Sequence, residues 1–215
     1  MEAADLSCWE SRFEAFLHAV APGDPAHGLD HVRRVVAWAR RLAAAENASL
    51  AVVVPAAWLH DCVVMPKDAP GARHASAAAA ECAGAFLQQA GYDAQLIPGI
   101  QHAIEAHSFS SGIVPRSAEA RVVQDADRLD ALGAIGLARC LAVGASLGRP
   151  LLDPSDPFAE RRSVDDRRFT LDHFPAKLLR IGATMTTAAG REEAARRTQF
   201  LRGFIEELRR ELPMP

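Results

Sequence analysis

Ala56-Ala57-Trp58-Leu59-His60-Asp61-Cys62-Val63 is an apolar stretch that carries an adjacent histidine and aspartate near its end. Apolar neighbours on this scale imply burial, and a buried imidazole beside a buried carboxylate needs a partner, because an isolated charge in low dielectric is costly. A divalent cation would be one such partner. The dipeptide alone also fits a plain helix C-terminus, with His60 bonding the last carbonyls and Asp61 facing water.

Immediately upstream, Val52-Val53-Val54 could be a strand, but Pro55 followed by Ala-Ala-Trp-Leu favours a helix that starts or kinks near the proline. His60 and Asp61 then lie near its end. Before it, Leu6, Trp9, Phe13, Phe16 and Leu17 recur at helical spacing, and Ala21-Pro-Gly-Asp-Pro25 breaks the pattern. Asp30 is placed to cap a second helix from His31 to about Ala45, with Val32, Val35, Val36, Ala39, Leu42 and Ala43 as its apolar stripe. His31 falls in the first turn.

Downstream, Met65 to Arg73 is a loop by its prolines and glycine. His74 to Ala90 reads as a helix ending at Gly91, and a further helix is expected from about Asp93 to Ala106. Ser108 to Gly112 is a loop, and Ala118 to about Val143 reads as one long helix whose Gly133 and Gly136 suit close contact. Leu151 to Asp166 is irregular, and Phe174 to Met185 and Glu192 to Leu212 are helical. No segment alternates convincingly as a strand. The expectation is an all-α protein, a compact helical array.

With 215 residues, 49% of them apolar and 24% charged, the chain fits a single globular domain over residues 1–215. Its net charge of -3 gives no reason to expect nucleic acid or an anionic membrane as partner, so a small molecule is the expected one. The acidic N-terminus lacks the pattern of a signal peptide, and no apolar run reaches the roughly 18 residues of a membrane span. A cytoplasmic protein is expected. The oligomeric state, including a homo-oligomer, stays open. Cys8, Cys62, Cys82 and Cys140 form no CxxC pair, which argues against a thiolate zinc site.

Four side chains on three expected helices could do chemistry: His31, the His60-Asp61 pair, and one acid of Asp125, Asp127 and Asp130. Two imidazoles and two carboxylates suit a divalent first-row metal with positions left open for water. Asp125 has Arg121 and Arg128 on its own helix face, which makes it a structural carboxylate. Asp127 and Asp130 share a different face with no cation between them, an unfavourable pair that a metal would repair. Asp127 is therefore assigned to the ion, and Asp130 to orienting a histidine ligand, with a pair that simply faces solvent as the plainer alternative.

These motifs resemble a known family. His31 within His27-Gly-Leu-Asp-His31-Val-Arg-Arg-Val, the dyad His60-Asp61, and Asp127 within Gln124-Asp-Ala-Asp-Arg-Leu-Asp130 are similar to the H…HD…D signature of the HD-domain metal-dependent phosphohydrolases, closest to the YedJ/YpgQ-like branch. The similarity extends to Met65-Pro-Lys, His107-Ser-Phe-Ser110, Val123 to Ala138 and His173 to Leu179, and so covers roughly residues 27–205, with core motifs in 27–131 and C-terminal helices in 168–212. Gly28 and Leu29 depart from the branch, which usually has Asp and an aromatic or aliphatic residue there.

The resemblance implies an all-helical hydrolase of phosphate esters or anhydrides that binds a divalent ion through His31, His60, Asp61 and Asp127. Mn²⁺ or Mg²⁺ is the expected ion, with Ni²⁺, Co²⁺, Fe²⁺ or Zn²⁺ also compatible. Similar members hydrolyse nucleotides, including removal of pyrophosphate from deoxynucleoside triphosphates; a phosphomonoesterase and a non-catalytic nucleotide or metal sensor are the alternatives. A divalent ion lowers the pKa of the water it holds and polarises the phosphoryl oxygen. Because two carboxylates already neutralise it, a polyphosphate would need other cations. The only lysines are Lys67 and Lys177; Lys67, with Arg73 and Lys177 as second choices, could contact phosphate or remain a solvated charge. His107 could donate to a phosphate, act as general acid, join a second metal, or simply cap its helix.

Overall fold

Pro55, just upstream of the decisive stretch, does not begin its helix; it lies inside it. The computed structural model describes residues 3–20, 28–65, 74–109 and 111–212. Its helices are α1 (Ala3–Val20), α2 (Leu29–Glu46), α3 (Leu50–Leu59), α4 (Ala75–Ala90), α5 (Ile97–His107), α6 (Ala118–Asp130), α7 (Gly133–Ser146), α8 (Leu179–Ile181) and α9 (Ala188–Glu211), with a π-helical turn at Phe174–Leu178 running into α8. No strand occurs among the described residues. The protein is all-α, as expected. No single helix among the described residues is long and apolar enough to cross a membrane.

The helices group into two compact units, Met1–Asp127 and Arg128–Pro215. At the centre of the first is α3, whose residues Val52 to Leu59 are all buried. A helix apolar all round must be enclosed on every side. Helix α1 supplies one wall with Leu6, Phe13 and Leu17 buried, and the Trp58 indole N–H donates to Glu10 of α1 at 3.0 Å. Helix α2 supplies another with the valine and alanine stripe expected from its sequence, buried from Val32 to Ala43.

Helices α4 and α5 close the unit, and small residues let them approach. The buried face of α4 is Ser76, Ala79, Ala80, Ala83, Gly84 and Leu87. The Gln101 side-chain amide of α5 crosses to the Ala80 carbonyl at 3.1 Å, and a Cβ on Gly84 would lie 2.3 Å from that amide nitrogen. Any larger residue at position 84 would push Gln101 away. Helix α5 starts at Ile97 rather than at Asp93, because Asp93 forms a turn of its own that takes the Gln95 N–H at 2.9 Å and the Leu96 N–H at 3.0 Å.

The expected single helix from Ala118 to Val143 is instead two. Ala131 and Leu132 leave the helical path after α6, and Gly133 takes φ +70°, a left-handed conformation that other residues adopt at a cost. In the second unit Arg197 of α9, nearly fully buried, donates to the Leu129 carbonyl at 2.6 Å and satisfies one of the acceptors that the break exposes. The irregular stretch before the π-helical turn is ordered by charge. Asp156 accepts from the backbone N–H groups of Glu160, Arg161 and Arg162, and the Arg162 guanidinium grips Asp172 with two bonds of 2.5 and 2.8 Å. Helix α9 begins at Ala188, four residues before the expected start, because the Thr187 hydroxyl accepts from the Gly190 N–H at 2.9 Å.

Candidate functional site

Three helix ends and one helix interior converge in the first unit. His31 lies in the first turn of α2, His60 caps the C-terminus of α3 with Asp61 next to it, His107 is the last residue of α5, and Asp127 lies in α6. The cap of α2 is Gly28, in extended conformation and with no side-chain bond; Asp30, expected in that role, is exposed within the first turn, 3.7 Å from Arg33. Only an Asp30 displaced to the cap position could have reached the first N–H groups.

The His60 imidazole donates its Nδ1–H to the Ala57 carbonyl at 2.8 Å, and His107 donates its own to the Ile104 carbonyl at 2.6 Å. Each ring therefore caps its own helix, in keeping with the plainer reading of these residues, and in doing so turns Nε2 towards the same centre. That pair of bonds also sets the tautomer, with Nε2 left to accept a proton or an ion.

The imidazole Nε2 atoms lie close to one another and to the carboxylates. His60 Nε2 is 3.4 Å from His31 Nε2, 3.4 Å from Asp61 Oδ2 and 3.8 Å from Asp127 Oδ1. His31 Nε2 is 3.4 Å from Asp127 Oδ1 and 3.8 Å from Asp61 Oδ2, and His107 Nε2 is 3.5 Å from Asp61 Oδ1. Hydrogen bonds between such groups are about 2.7–3.2 Å long. Two ligands each about 2.1 Å from a common ion are separated by roughly 3.0–3.4 Å at octahedral to tetrahedral angles. The observed separations, 3.4–3.8 Å, are longer than most such bonds and begin where the spacing of a ligand shell ends, and two imidazole nitrogens 3.4 Å apart attract only if a proton or a metal cation lies between them. His31, His60 and Asp127 form one group able to hold a metal, and His60, Asp61 and His107 a second that shares His60.

Charge is concentrated to match. Burial by itself would lower the pKa of His60, but the Asp61 carboxylate, and Asp127 behind it, override burial and hold it up at about 9. Burial would raise Asp61, and the His60 and His107 imidazoles instead keep it well below the usual carboxylate range. Asp127 is likewise pulled down against its burial, chiefly by His31 and then His60. Both carboxylates are therefore ionised at neutral pH.

Lys67 and Arg73 lie outside the described residues. Lys177 is half-buried in the π-helical turn of the second unit. Asp130 is held by Arg139, whose Nη1 lies 2.6 Å from its carboxylate, and the ring N–H groups of His60 and His107 are carried by the Ala57 and Ile104 carbonyls. The orienting role assigned to Asp130 thus falls, for these two rings, to the backbone. Ala57 and Ile104 sit three residues before their histidines, a spacing readable in the sequence once a histidine is placed at a helix end.

A family model of the HD domain matches residues 28–132. YpgQ of Bacillus subtilis is 30% identical over 191 residues, 87% of this chain and 85% of YpgQ. The crystal structure of YpgQ in complex with ADP superposes with a TM-score of 0.71 at 29% identity, covering 94% of this chain and 98% of that one. A crystal structure from Lactobacillus plantarum is similar with a TM-score of 0.73, 30% identity and 98% of each chain covered. An HD-superfamily hydrolase of Bacillus thuringiensis reaches 0.69 at 29% identity, over 94% of this chain and 97% of its own. Since the HD-domain match spans His31, His60, Asp61, His107 and Asp127, and the likeness to YpgQ runs over most of both chains, this chain belongs to the HD-domain superfamily of metal-dependent phosphohydrolases.

Proposed function

We propose that this chain hydrolyses nucleotides, as a deoxynucleoside triphosphate pyrophosphohydrolase, with Mn²⁺ or Mg²⁺ held by His31, His60, Asp61 and Asp127. The observation that carries the reading is a cluster of two imidazoles and two carboxylates in which the Nε2 atoms of His31 and His60 lie 3.4 Å from each other and each 3.4–3.8 Å from an oxygen of Asp61 and of Asp127. The ADP bound in the structure of YpgQ supports a nucleotide as the ligand. A divalent ion there supplies Lewis acidity to the phosphoryl group and a water activated near neutral pH.

The chain's own groups divide the remaining work. His31 and His60 orient the ion, and Asp61 and Asp127 neutralise it. To His107, with Nδ1 committed to Ile104 and Nε2 3.5 Å from Asp61, we assign the holding or delivery of a proton at Nε2, as a general acid for the leaving oxygen. The triphosphate carries more charge than this neutralised centre can balance, and Lys67 and then Arg73 are assigned to it.

The test is incubation of the Mn²⁺- or Mg²⁺-loaded protein with ribo- and deoxynucleoside mono-, di- and triphosphates, with products identified by mass and a His60→Ala, Asp61→Ala protein as control. Pyrophosphate and a deoxynucleoside monophosphate are expected. Inorganic phosphate released from monophosphates would instead identify a phosphomonoesterase. Nucleotide binding without turnover would identify a sensor, and equal turnover by the control would sink the assignment of the site.

A further inference from the structure

Helix α5 ends with carbonyls that no longer have helical partners, and side chains answer three of them in turn. The His107 ring takes Ile104, the Ser111 hydroxyl lies 3.3 Å from the Glu105 carbonyl, and the Gln124 side-chain amide donates to Ala106 at 2.6 Å. Gln124 is 2% exposed and belongs to α6, three residues before Asp127. A buried amide at this distance is committed to its acceptor, since losing the bond would strand both groups.

The acceptor matters because His107 is its neighbour in the chain. The Ala106 carbonyl belongs to the planar peptide unit that joins Ala106 to His107, so fixing its oxygen fixes the direction in which the Cα of His107 leaves the plane. From the other side, Gln124 and Asp127 ride on one rigid helix. The bond therefore sets the separation between the backbone that carries Asp127 and the backbone that carries His107.

We propose that Gln124 is a positioning residue of the candidate metal site, holding His107 in register with Asp127. The proposal rests on the reading of the cluster as a metal centre, yet part of its consequence is independent of any ion. Without the amide, the Ala106–His107 peptide can rotate and the Nδ1–H bond of His107 to Ile104 loosens, which reorients Nε2 relative to Asp61.

Gln124→Met keeps the length of the side chain and removes the donor. In the metal-free protein, the imidazole nitrogen and Nδ1–H resonances of His107 are expected to shift in Gln124→Met, with those of His31 nearly unmoved. Because His107 Nε2 lies 3.5 Å from Oδ1 of the ligand Asp61, Mn²⁺ affinity, followed by the electron paramagnetic resonance of free Mn²⁺, is expected to fall about tenfold, the loss typical when a group that orients a metal ligand is displaced. In a His107→Ala background the same substitution should change affinity little, because the group it acts through is gone. Gln124→Asn, which retains the donor one methylene short, should fall between and serves if Gln124→Met does not fold. Unmoved His107 resonances overturn the proposal, as does an equal loss of affinity in both backgrounds. Failure of the unaltered protein to bind Mn²⁺ would overturn the metal reading instead, and the metal-free resonances would still decide for or against Gln124.

Discussion

The Tyr92 hydroxyl donates to the Ala51 carbonyl at 2.6 Å, and Ala51 is the residue whose helical partner would have been the N–H that Pro55 lacks. A proline inside a helix leaves the carbonyl four residues earlier without its N–H donor. Here a side chain from beyond the end of α4 takes that donor's place. The helix is thereby tied at its weakest turn, before it delivers His60 and Asp61.

Tyr92→Phe is accordingly expected to lower unfolding free energy by about 1 kcal/mol, the cost of stranding a part-buried acceptor. In a Pro55→Ala background the loss should shrink, since the restored N–H can serve Ala51. Urea denaturation of the four proteins of this cycle measures the coupling. Additive losses would show that tyrosine and proline are unrelated.

The elements that converge on the site were legible because each announces itself locally. The valine and alanine stripe of α2 places His31, and the apolar run of α3 ends at His60-Asp61. Asp127 stood out because Asp130 shares its face without a cation in between. What could not be read depends on groups distant in sequence. The helical turn at Pro55 is completed from Tyr92, the cap expected at Asp30 is displaced by the extended Gly28, and Gln124 has meaning only once α5 ends beside it. The break after α6 was hidden by apolar periodicity that runs straight through it, and only the left-handed Gly133 marks it.

That glycine carries a measurable cost. Gly133 has φ +70°, and a Cβ there would meet the Arg197 side chain at 3.1 Å. Gly133→Ala is expected to destabilise by about 1–2 kcal/mol from the left-handed backbone alone. Thermal melting followed by circular dichroism checks this. An unchanged melting temperature would mean that the turn between α6 and α7 relaxes at no cost.

In the second unit, the Arg162–Asp172 pair makes stability depend on acid. Burial would raise the Asp172 carboxyl, but the guanidinium of Arg162 and the Asp165 N–H hold it below the usual range. A carboxylate depressed in the folded state contributes stability that is fully present above its unfolded pKa, about 4, and is lost as pH falls through the folded value. Asp172→Asn should cost about 2 kcal/mol at pH 7, the value of bonds to a charged group, and the difference from the unaltered protein should fade below pH 4. Urea midpoints at pH 7 and pH 3 report it, and a difference independent of pH would exclude the charge as its source.

The proton on His60 ties metal binding to pH. In the metal-free protein this imidazole, raised to about 9 by Asp61 and Asp127, is protonated at neutral pH, and its Nε2 carries the proton because Nδ1 is committed to Ala57. Raised above its unfolded value of about 6.5, the group adds stability that is complete below that pH and is lost as pH rises through about 9. An ion that binds Nε2 must displace this proton. Below pH 9, each unit of acidification should therefore weaken Mn²⁺ binding by up to tenfold, and at pH 7 about one proton should leave per ion bound. Titration calorimetry in two buffers of different protonation enthalpy measures the number directly. A value near zero would mean that His60 is already neutral before the ion arrives, and that the two carboxylates serve the metal without first having served the proton.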